Sequence, residues 1–146
     1  MMLEDKMIYL DTSVIVNSFF TGEKGSESSR ELMKRIREGT FTASTSDFTL
    51  IEVASAISRR IKKPKLAREF VKELQLYPNL NIVPISKIIF DKAFDIAADY
   101  GLRAGDSIQA ACAILEGATY LIQKDVDFDK INEIIKVKEP QDLLEL

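Results

Sequence analysis

"MIYLDTSVIVNSFF", residues 7–20, sets one carboxylate between two apolar runs. An apolar strand that stops at Asp11, followed by two hydroxyls and a second apolar run, is how many α/β proteins place a reactive group on the rim of a sheet. It is equally how a helix acquires an ordinary cap. The other acids and the order of elements decide between the two.

The 146 residues suit one domain, 1–146, large enough to bury a core without staples. Apolar residues make up 46% and charged residues 29%, an ordinary globular mixture rather than that of a disordered or membrane protein. No apolar run approaches the ~18 residues of a spanning helix. The acidic opening MMLEDK is unlike a secretory signal, so a cytoplasmic protein without membrane association is expected. The chain has no histidine, which excludes Ser-His-Asp and Cys-His mechanisms and histidine zinc sites. Its single cysteine, Cys112, lies in the apolar helical context IQAACAIL and reads as an inert core thiol. Carboxylates, amines, hydroxyls and a hard metal ion remain as tools. A net charge of -3 gives no general attraction to nucleic acid, so such binding requires a local patch.

Outward from the opening stretch, short apolar runs alternate with amphipathic ones. The pattern predicts a strand over 7–10, helices over 13–20 and 26–37, a strand at 41–43, and a helix over 46–61 with Leu50, Val53, Ala54, Ile57 and Ile61 on one face. Pro64 opens the next helix, to about Leu76, and NLNIVPIS is a strand closed by Pro84. A helix over 87–100 stops at Gly101. Another starts at Asp106 with Ile108, Ala111, Cys112 and Leu115 on its apolar face. TYLIQ is a strand, KDVDFD a polar turn, IIKVK a last strand and PQDLLEL a terminal helix. Strands interleaved with helices define an α/β three-layer sandwich, a mainly parallel sheet of four or five strands with helices on both faces.

Four acids fall at comparable places: Asp11 and Asp125 just after strands, Glu52 and Asp106 in the first turns of helices. Each has a bland reading, since Asp11 and Asp106 suit caps, Glu52 with Thr49 suits a capping box, and Asp125 suits a turn. In a parallel sheet, however, strand ends and crossover-helix starts share one rim. Carboxylates gathered there repel one another until one neutralises or a cation joins them. Oxygen-only ligation suits Mg²⁺ or Mn²⁺.

YLDTSVIV at 9–16, TLIEVASAI at 49–57 and LRAGDSIQAACAILEGATYLIQKDVDF at 102–128, in this order, resemble the PIN-domain ribonucleases, in particular the VapC-type toxins of toxin-antitoxin pairs. The resemblance covers nearly the whole chain and matches Asp11, Glu52, Asp106 and Asp125 to the family's four acids. It implies cleavage of RNA dependent on one or two Mg²⁺ or Mn²⁺ ions. By that resemblance Asp11 and Asp106 are the main metal ligands, Asp125 completes the pocket, and Glu52 positions or deprotonates the attacking water. Asp127 stands second to Asp125, while Thr12 and Ser13 match hydroxyls that orient the first acid. The chain departs from the family at Gln123, where Thr or Ser is common. The resemblance also implies a small inhibitory antitoxin and a homodimer.

The densest basic stretch, RRIKKPKLAREFVK, offers Arg59, Arg60, Lys62, Lys63 and Lys65, with Arg68 and Lys72, to an RNA backbone or to solvent. A second group, Arg30, Lys34, Arg35 and Arg37, complements a helix terminus. The alternatives are a PIN-like RNA- or partner-binding module without turnover and, further off, a phosphoacceptor signalling domain. The latter wants a paired acid beside Asp11, where Thr12 and Ser13 stand. A haloacid-dehalogenase-type phosphatase wants an Asp at position 13.

Overall fold

The computed structural model describes residues 7–124 and 130–145. Met7–Leu10 form β1, whose apolar run is buried on both faces. Ile8 and Leu10 enter one core and Tyr9 the other, all fully buried. Burial of this kind stabilises by about 1.5–3 kcal/mol per large side chain. With β2 (Thr42–Ser46), β3 (Leu80–Val83), β4 (Tyr120–Ile122) and β5 (Val137–Lys138), β1 makes a sheet of order β3-β2-β1-β4-β5, parallel at every pairing.

Helices α1 (Thr12–Phe19), α2 (Ser26–Arg37), α3 (Asp47–Ile61), α4 (Pro64–Gln75) and α7 (Pro140–Leu144) pack on the Ile8/Leu10 face. Helices α5 (Lys87–Tyr100) and α6 (Ala104–Leu115) pack on the Tyr9 face. This is the three-layer sandwich expected from the sequence. Among the described residues no helix is long and apolar enough to cross a membrane.

Three local expectations are corrected. First, β2 runs over the polar Thr42–Ser46, beyond the expected 41–43, because its backbone is needed between β1 and β3 and its hydroxyls find partners. Thr45 Oγ1 donates to Leu10 O at 2.8 Å, and Ser46 Oγ caps α3, accepting from Thr49 N–H at 3.3 Å. Second, α6 starts at Ala104, two residues before Asp106. Wedged against the sheet and α5, it buries Ser107, Gln109, Ala110 and Ala113 besides Ala111 and Cys112, while Leu115 is exposed. Small side chains on several sides of α6 permit that close approach. Third, the last strand contracts to Val137–Lys138, because Ile134 and Ile135 follow a 3₁₀ turn at Ile131–Glu133.

Candidate functional site

β1 and β4 end side by side. Asp11 N–H donates to Ile122 O at 2.9 Å, tying the end of β1 to the end of β4. Asp11 then caps α1, its Oδ2 accepting from Ser13 N–H at 2.9 Å. Ser13 Oγ in turn accepts from Lys124 N–H at 3.0 Å. The cap expected from the sequence therefore exists, and the same residue also faces a cleft.

That cleft, about 580 Å³, is lined by the carboxylates Asp11 and Asp106, the amide Gln123, and the cations Arg103, Lys124 and Lys130. Asp106 arrives from the first turn of α6, whose N-cap is Arg103, so Asp106 is not the cap of its own helix. Burial pushes the Asp11 carboxyl above the ordinary carboxylate range. Repulsion from Asp106 adds to the rise, while hydrogen bonds from Ser13 and Gln123 oppose it.

Glu52 does not line this cleft. It borders an adjoining pocket with Thr12, Ser55 and Arg59. The expected capping box with Thr49 is not formed, because Ser46 occupies the N-cap. Glu52 is tied to Thr12, the residue after Asp11, whose Oγ1 donates to Glu52 Oε1 at 2.5 Å. Its Oε2 lies 3.7 Å from the place a Cβ on Gly105 would take, beside the first turn of α6. Burial raises the Glu52 pKa; Thr12 and Gln109 oppose the rise, and repulsion from Asp11 and Asp106 adds to it.

Sequence reasoning missed Gln109. It is almost fully buried on α6, and its amide joins three elements. Nε2 donates to Thr12 Oγ1 at 3.0 Å and to Thr49 Oγ1 at 2.9 Å, and Oε1 accepts from the Tyr9 hydroxyl. The donors therefore run from Tyr9 through Gln109 and Thr12 to Glu52. An amide inside an apolar helical stretch was the available signal, since a buried amide requires partners.

The basic stretch disperses. Arg59 is exposed beside Glu52, with its Nε bonded to Ser55 O at 3.3 Å. Arg60 stacks over the Phe20 ring at 3.6 Å and pairs with Glu23. Lys62 ends α3 with φ 62°, and Lys63 and Lys65 are exposed at the α3–α4 junction. The cleft's own cations, Arg103, Lys124 and Lys130, are isolated in sequence. Lys124 lies against Gly25, at φ 81°, where a Cβ would collide with the lysine ammonium. Cys112 is fully buried and its thiol pKa is pushed up by burial, as an inert core thiol requires.

Asp125 and Asp127 lie outside the described residues. Among the described residues no three acids, cysteines or histidines are grouped so as to hold a metal ion. Two carboxylates do share the cleft with Gln123, whose buried amide oxygen Oε1 has no hydrogen-bond partner among the described residues. An all-oxygen set with few carboxylates fits Mg²⁺ or Mn²⁺, which keep several waters.

The chain belongs to the PIN domain family, whose model matches residues 8–134. Its fold is shared by VapBC2 from Rickettsia felis, solved with a fragment of promoter DNA, at a TM-score of 0.71 and 16% identity over 91% of this chain and 98% of the other. VapC20 from Mycobacterium tuberculosis, described as a sarcin-ricin loop cleaving toxin, aligns at a TM-score of 0.70 and 16% identity over 84% and 92% of the two chains. A toxin-antitoxin complex from Klebsiella pneumoniae aligns at 0.65 and 19% identity over 91% and 97%. At such identities the likeness concerns the fold. No curated protein matches the sequence.

Proposed function

We propose that this protein is a metal-dependent endoribonuclease, hydrolysing RNA phosphodiesters without a covalent intermediate, and the toxin of a toxin-antitoxin pair. The observation that carries the reading is the one cleft that Asp11 and Asp106 line together with three cations at the carboxyl rim of a parallel sheet. Asp11 and Asp106 would hold one or two Mg²⁺ or Mn²⁺ ions, with Asp125 as a further ligand. When bound, such an ion supplies Lewis acidity, acidifying water and offsetting charge at phosphorus. Glu52, fixed by Thr12, orients the attacking water and takes its proton. Arg103, Lys124 and Lys130 hold backbone phosphates at the rim of the cleft, with Arg59 beside Glu52.

A small antitoxin is the proposed inhibitor, by analogy with the VapBC assemblies that share the fold. A second copy is proposed to cover the apolar groove of Phe48, Ile51, Ile85 and Ile108. Light scattering that found only monomer would remove the dimer from this account. A cytoplasmic site of action is part of the same proposal.

The deciding experiment compares the parent with Asp106→Asn on single-stranded and structured RNA, with and without EDTA. Turnover lost in both cases supports the nuclease. Turnover that persists in EDTA refutes the metal dependence. Tight binding without cleavage by the parent supports the second reading, a PIN-like binding module.

A further inference from the structure

At the end of β4, Gln123 is held by its backbone, with N–H donating to Lys138 O at 3.0 Å. The flanking residues are fixed to Asp11 and Ser13, so its Cα has little freedom. Gln123 is 2% exposed and lines the cleft with Asp11 and Asp106, its side chain hydrogen-bonded to Asp11. An ionised carboxylate only accepts hydrogen bonds, so the amide NH₂ is the end of Gln123 that serves Asp11. Oε1 is left over, buried and without a hydrogen-bond partner among the described residues. Such an oxygen has given up its water and is destabilising unless something meets it. None of Arg103, Lys124 and Lys130 donates to it, although all three line the same cleft. A neutral carbonyl oxygen beside two repelling carboxylates is a hard donor to a cation, and it adds no further negative charge.

We propose that the side-chain oxygen of Gln123 is a ligand of the divalent cation held in the Asp11/Asp106 cleft. The inference rests on the metal-dependent reading above. It gives this chain a neutral amide ligand at the corner where the family commonly carries a hydroxyl. The alternative role, an anchor for Asp11 through the NH₂ alone, would leave Oε1 indifferent to metal.

Two measurements on the full chain separate these roles. Calorimetric titration with Mn²⁺ compares the parent with Gln123→Met, which keeps the volume and removes the amide. The expected result is roughly tenfold weaker binding in the variant. In the parent, with the glutamine side chains ¹³C-labelled, titration with Mg²⁺ is expected to shift the Gln123 carboxamide carbon in step with binding. This arm stands even if Gln123→Met fails to fold. A carbon that does not move while the parent binds Mg²⁺ overturns the ligand role, whatever the variant does. Equal Mn²⁺ affinity in parent and variant also overturns it and leaves the nuclease reading intact. A parent that binds neither ion removes the metal-dependent reading and this inference together.

Discussion

Thr12→Val tests the chain of hydrogen bonds that ends on Glu52. Valine matches threonine in shape but deletes one hydroxyl, and that hydroxyl serves two partners. It accepts from Gln109 Nε2 at 3.0 Å and donates to Glu52 Oε1 at 2.5 Å. Removing it strands a donor of a nearly fully buried amide, at a cost of about 1–3 kcal/mol. The Glu52 bond is charge-assisted, but water can replace part of it because Glu52 is partly exposed. A net loss of about 2 kcal/mol follows. Unfolding entropy for a chain of this size is on the order of 0.3 kcal/mol per kelvin, so Tm should drop by roughly 6 °C. Thr12→Ser keeps both bonds and should stay within about 1 kcal/mol of the parent. In cleavage assays Thr12→Val should lower kcat by about ten- to a hundredfold, because Glu52 loses its fixed orientation. The Thr12 bond also favours ionised Glu52, so its loss raises that pKa further and moves the acid limb of the kcat profile to higher pH. A Thr12→Val protein with parental Tm and an unmoved acid limb would refute the reasoning.

The pKa values of Asp11 and Glu52 are raised in the fold, so without divalent ions stability should fall as pH rises from about 4 through the folded values, then level off. Asp11→Asn retains a competent cap and should be more stable than the parent at pH 7 in EDTA, by about 0.5–2 kcal/mol in urea unfolding, while losing cleavage; a less stable variant contradicts the buried-charge account. Lys62→Gly relieves a left-handed backbone at φ 62° and should gain about 0.5–1 kcal/mol; if RNA affinity also falls, Lys62 contacts the substrate as the basic stretch first suggested. Arg60→Ala should lower Tm through loss of the Phe20 stack and leave the salt dependence of RNA binding unchanged. Lys124→Gln should reduce that salt slope by about 0.7, the contribution of one phosphate contact on a single strand.

What the sequence made visible divides along a physical line. Strand β1 and the acid at its end were legible because burial on two faces demands a continuous apolar run, and Asp11 is where that run breaks. The stops of α2, α4 and α5 fall where helix-ending residues and the close of the apolar pattern put them. β2 was underestimated, because its hydroxyls are satisfied by Leu10 O and by the start of α3, partners that only the folded chain supplies. The gathering of Asp11 with Asp106 followed from topology, whereas the place of Glu52 did not. Its link runs through Thr12 and Gln109, residues 40 and 97 positions from their partners, and no periodicity encodes such a contact. For the basic stretch, too, neighbourhood along the chain does not give neighbourhood in the fold. Clustering along the chain put Arg60 on Phe20, while isolated Arg103, Lys124 and Lys130 converge on the acids from α6 and the segments after β4. A cleft that mixes two repelling carboxylates with three cations is costly to fold and informative about use. The acids call for a cation, and the cations call for an anion that reaches the same place. A metal ion together with a phosphodiester satisfies both demands at once.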